Sequence, residues 1–94
     1  MLHPKNLVTI CAAMTKIKEF LEIVLSKNGK AILDKKDCVI TTRTGTVIVR
    51  QHSGCWIIQW DLLDGKVKGK RSISPMEPHQ AFDSVNAVVP YPIL

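Results

Sequence analysis

The sequence holds no uninterrupted apolar run near the roughly 18 residues that a membrane-spanning helix needs, so none is expected. Its three cysteines, Cys11, Cys38 and Cys55, are an odd count with no C-x-x-C pairing. Neither a disulfide framework nor a cysteine-rich metal centre is expected, and the thiols read as reduced in a cytoplasmic protein. The stretch Leu7 to Met14 behind Lys5 is too short for a secretory leader, holds Thr9, and runs into Lys16, Lys18, Glu19 and Glu22. The five glycines are dispersed, which leaves no glycine-rich phosphate loop and no indicated cofactor. Carboxylate pairs for acid/base chemistry are missing, because Asp34 and Asp37 fall in a turn region and Asp64 heads a hairpin turn. Aromatic residues are 5% of the chain, too few for an extended base-stacking platform. There is no internal repeat and no low-complexity linker.

Basic residues stop at Arg71. Of the net charge of +5, the segment before Pro75 therefore carries more than the whole, and the remainder is acidic. Any contact with a polyanion belongs to the body of the chain. Ninety-four residues are expected to make a single domain, 1–94, with little apolar area to spare. At 46% hydrophobic, the chain has enough apolar side chains to leave some for a partner or for a second copy of itself.

Between residues 6 and 27, Leu7, Ile10, Met14, Ile17, Leu21 and Val24 recur at three- and four-residue spacing, with Cys11, Phe20 and Leu25 widening the stripe. This predicts an amphipathic helix, ended at Asn28-Gly29, residue types that tolerate the left-handed conformation. A short extended piece, Ala31 to Asp34, follows. Over 38–73, Thr44-Gly45, Ser53-Gly54 and Asp64-Gly65 separate four runs rich in Val, Ile, Trp and Thr, the pattern of an antiparallel β-meander. Two-residue turns would set Arg43 opposite Thr46, His52 opposite Cys55 and Leu63 opposite Lys66. One face then collects Cys38, Ile40, Val47, Val49, Trp56, Ile58, Trp60, Leu62, Val67 and Ile73 as a core, with Gly69 making room for Trp60. The expected fold is α+β: a long N-terminal helix on a four- to five-stranded meander, then a short helix near 79–87 and an extended tail over 88–94.

Three groups of residues are candidates for function. Lys66, Lys68, Lys70 and Arg71, with Arg43 and Arg50 on neighbouring strands, form a basic binding face suited to phosphates, or a row of lysines guarding a sheet edge. The apolar tail residues Val89, Tyr91, Pro92, Ile93 and Leu94 suit docking on a partner, or folding back on the chain's own core. His52 and Cys55 face each other across a turn and are the one visible pair for nucleophilic or metal chemistry, without recognisable further ligands. No catalytic or metal-binding set is assigned.

The first functional reading is a non-catalytic, basic protein-binding module, of accessory, inhibitor or immunity type. Its partner would be a larger protein with an acidic surface, one that itself processes nucleic acid. The alternative is direct nucleic-acid binding through the basic sheet face. A helix followed by a bent five-stranded meander is also the outline of small barrels that bind RNA, but no motif here names such a family.

Overall fold

The computed structural model describes residues 4–94, with side chains from Thr15 onward. The elements run α1 (Pro4–Ser26), β1 (Lys30–Asp34), β2 (Asp37–Thr41), β3 (Gly45–His52), β4 (Cys55–Leu62), β5 (Val67–Ile73) and α2 (Pro78–Val88). The fold is α+β: one antiparallel sheet in sequential order β1-β2-β3-β4-β5, with both helices on the same face. Among the described residues, no helix is long and apolar enough to cross a membrane.

Helix α1 lays Ile17, Phe20 and Val24 into the core, with Leu21 and Ile23 half-buried. Leu25 was expected to widen this stripe but is 48% exposed. It follows Val24 by a further 100° of helical rotation and so turns out of the contact. Leu7, Ile10, Cys11 and Met14 lie outside the residues with described side chains. The helix ends as the sequence indicates. Asn28 adopts φ 64°, its N–H donates to the Leu25 carbonyl at 3.0 Å, and the Gly29 N–H donates to the Val24 carbonyl at 2.9 Å. These are the two bonds that close a helix with a left-handed residue.

The piece 30–34 is a full strand, paired with β2 so that Ile32 lies opposite Val39. The first hairpin of the meander differs from expectation. Thr41 pairs with Thr46, placing the register two residues away from an Arg43 and Thr46 pairing. The cause is Thr42, whose Oγ1 accepts from the N–H of Thr44 at 3.2 Å and of Gly45 at 3.1 Å while its own N–H donates to the Gly45 carbonyl at 2.8 Å. This side-chain turn takes residues 42–44 out of the ladder. Because the shift is even, each side chain keeps its face. The other two registers are as counted: His52 pairs with Cys55, and Leu62 with Val67. Residues 63–66 leave the strands because Leu63, Asp64 and Gly65 all take positive φ.

The covered face buries Cys38, Ile40, Val47, Val49, Trp56, Ile58 and Leu62. Trp60, Val67 and Ile73 are only half-buried, since α1 packs over β1 to β3 and leaves the β5 side thinly covered. Trp60 lies across Gly69, its cross-strand partner, so closely that a Cβ there would fall on the indole ring. Phe20 joins the layers, its ring centroid 5.6 Å from Trp56 and 6.2 Å from Phe82. The Trp56 indole N–H donates to the Met76 carbonyl at 2.9 Å.

Helix α2 starts at Pro78, which needs no N–H at that position. The Glu77 N–H just before it donates to Gln80 Oε1 at 3.3 Å. Ala81, Phe82 and Val85 face inward. The helix runs to Val88, so the extended tail starts one residue later than expected. Val89 at 4% and Ile93 at 1% exposure are part of the core, whereas Tyr91 and Leu94 stay exposed. This corrects the docking-tail reading for Val89 and Ile93: with so small a core, burying them at home removes more apolar surface from water than presenting them would.

Candidate nucleic-acid interface

The uncovered face of the sheet is ordered in three rows by the register. The first reads Lys30, Thr41, Thr46, Asp61, Lys68; the second Ile32, Val39, Ile48, Gln59, Lys70; the third Asp34, Asp37, Arg50, Ile57, Ser72. Period-2 alternation on β5 thus brings Lys68 and Lys70 to this face, with exposed Lys66 in the turn just before the strand. The corner opposite them holds Asp34 and Asp37.

Three of the six basic candidates, Arg71, Arg43 and Arg50, depart from the expected patch. Arg71 pairs with Ile58 and so belongs to the helix-covered face, where it lines a groove of about 360 Å³ with Ser74, Met76, Ser84 and Val88. The error is one of parity: Arg71 adjoins Lys70 in sequence and therefore points to the opposite face. Arg43 is outside the strands, in the loop organised by Thr42, and lines a second cavity with Lys30, Thr41, Ile93 and Leu94. Arg50 is on the open face, but its guanidinium donates to Asp37 Oδ2 at 2.9 Å. Lys68 lies 3.9 Å from Asp61 Oδ2, both side chains being well exposed. In water such a pair is weak and yields readily to a phosphate. Lys66, Lys68 and Lys70 therefore remain the coherent cationic row.

Lys30 was not singled out from the sequence, and the structure adds it at the far end of the first row. The signal was present: once Ala31 to Asp34 is read as a strand paired with β2, alternation places Lys30, Ile32 and Asp34 together on the open face.

His52 and Cys55 do face each other across the Ser53-Gly54 turn, with His52 exposed and Cys55 half-buried. Among the described residues, no three His, Cys, Asp or Glu side chains gather into a group that could hold a metal ion. Cys38 is on the opposite side of the sheet, buried, and burial pushes its thiol from 9.0 up to about 11. His79 is exposed on α2, and His3 lies outside the described residues.

No protein family and no solved structure matches this chain. Among curated proteins, it is similar to a protein of Treponema denticola named ribonuclease H, with 31% identity over 84 residues. The similarity covers 89% of this chain and 51% of that protein, so the chain spans about half the length of the relative.

Proposed function

We propose that this chain is a nucleic-acid-binding module that takes RNA by its phosphates along the open edge of β5, with Lys66, Lys68 and Lys70 as the contacts. The observation that carries the reading is the alternation on an edge strand. Lys68 and Lys70 are alternate strand residues, about 6.8 Å apart along β5, and exposed Lys66 stands in the turn just before, a run of ammonium groups that an extended phosphate backbone can follow. Asp61 is the single acidic side chain opposite them on β4. A net charge of +5 favours the encounter at long range. Similarity to a protein named as a ribonuclease supports RNA as the ligand class.

The role is binding rather than cleavage. Asp37, although opposite Asp34 in the ladder, is engaged by Arg50, and Asp61 neighbours Lys68, which favours charge pairing over acid/base work at these carboxylates. The accessory-protein reading draws on the same lysines, facing an acidic protein surface instead of a phosphate chain. It loses part of its tail, since Val89 and Ile93 are buried in the chain's own core.

The test is fluorescence anisotropy of labelled RNA and DNA oligonucleotides at two salt concentrations. Three phosphate contacts on a single strand correspond to a log–log salt slope of about −2, or roughly a twentyfold loss of affinity between about 50 and 200 mM. The triple change of Lys66, Lys68 and Lys70 to Glu should abolish binding, while Arg71→Glu, on the other face, should cost much less. Absence of RNA binding at the lower salt, or full binding by the triple variant, overturns the proposal. In the first case, capture of an acidic protein partner becomes the reading to pursue.

A further inference from the structure

The two edges of the sheet are built differently. β5 carries lysines at alternate positions, the usual guard against edge-to-edge pairing. β1 has no such guard at its centre: it reads KAILD, contains no proline, and presents Ile32 at 64% exposure, the most exposed large apolar side chain described. Among the described residues, one side of β1 has no partner strand in the sheet.

The charges on β1 are self-complementary. Laid antiparallel on the same strand of a second copy about a two-fold axis at Ile32, Lys30 comes opposite the partner's Asp34, Ala31 opposite the partner's Leu33, and Ile32 opposite its own equivalent. Lys30, Ile32 and Asp34 all point to the open face, so both ion pairs and the isoleucine contact form on one side of the joint. Among the described residues, neither Lys30 nor Asp34 forms an ion pair within the chain. The neighbour of Asp34 across the ladder is Asp37, whose carboxylate is already held by Arg50. A second copy therefore supplies what the monomer does not: a cation for Asp34 and an anion for Lys30.

We infer that two copies of this chain pair through β1 to form one continuous ten-stranded antiparallel sheet. The charges also select this arrangement over its competitors. Sliding the register by two residues breaks both ion pairs and sets Ile32 against a charge, and an in-register parallel pairing puts lysine on lysine and aspartate on aspartate. The joint is only five residues long, so the dimer is weak and concentration-dependent. It is independent of the RNA reading, because it uses the edge opposite β5.

Sedimentation equilibrium of the intact chain from about 5 to about 500 μM tests it. The apparent mass is expected to climb from 10.5 kDa toward twice that value. Ile32→Lys, which places on β1 the guard that β5 already has, should hold the chain monomeric with an unchanged circular dichroism spectrum. Lys30→Asp and Asp34→Lys should each weaken association about fivefold to tenfold, and the double exchange should restore it. A single monomer mass at every concentration, association that survives Ile32→Lys, or a double exchange no better than the single ones overturns the inference.

Discussion

Substituting Gly69 by alanine sets two effects of opposite sign against each other. In an ordinary strand position, replacing glycine by alanine stabilises by about 0.5–1 kcal/mol, through lost freedom of the unfolded chain. At Gly69 the new methyl group would occupy space held by the Trp60 indole, so the ring must swing away. A tryptophan buries roughly 150–250 Å² when fully packed, and Trp60 is half-buried. Losing about 80–120 Å² of contact at about 25 cal/mol per Å² costs about 2–3 kcal/mol. The net expectation is a loss of about 1–2.5 kcal/mol, or roughly 5–15 °C in Tm for a domain of this size. Urea unfolding followed by far-ultraviolet circular dichroism measures it. A control isolates the cause: in a Trp60→Leu background the same alanine should cost little or become favourable, giving a coupling energy above about 1 kcal/mol. A Gly69→Ala protein as stable as the parent, or additive costs in the double variant, would refute the account of why glycine stands opposite Trp60.

Two further outcomes follow from burial. Ile93→Ala should lower stability by about 2–4 kcal/mol in urea unfolding, because residue 93 is 1% exposed, whereas Leu94→Ala, 52% exposed, should cost under about 1 kcal/mol. Cys38 links stability to pH: its thiol titrates near 9.0 when unfolded and near 11 when folded, so the folded state holds a proton that the unfolded chain releases. Stability is then independent of this group below about pH 9 and falls as pH rises toward 11, a slope that Cys38→Ala should remove in denaturation series across that range.

The faces of the sheet were legible because side chains alternate with period 2 and the two register-setting turns at Ser53-Gly54 and Asp64-Gly65 carry residues that accept positive φ. The first hairpin was not, since Thr42 makes a turn with its hydroxyl that composition does not separate from an ordinary strand threonine. The core face survived that error because the slip was even. Grouping Arg71 with the lysines failed for the converse reason: proximity in sequence was put before alternation. Arg43 was lost with the hairpin that carried it. The tail's fate was undetermined locally, because an apolar extended segment serves a partner's groove or its own core equally well. The choice depended on how much area α1, α2 and the sheet left uncovered around Phe20 and Phe82, a property of the assembled layers.

The sequential order of the strands also governs how the chain finds its structure. Every neighbour in the sheet is the next strand in sequence, and the turns at 35–36, 42–44, 53–54 and 63–66 close short loops. The entropy of closing each is small, so the meander can zip outward from the two eight-residue strands β3 and β4 without waiting for a distant partner. Among the contacts that span the sequence is the meeting of Phe20 on α1 with Phe82 on α2. That clasp joins residues far apart in sequence, so its loop-closure cost exceeds that of any hairpin; it is expected to close after the meander and to open before the central hairpin, an order that hydrogen exchange would read.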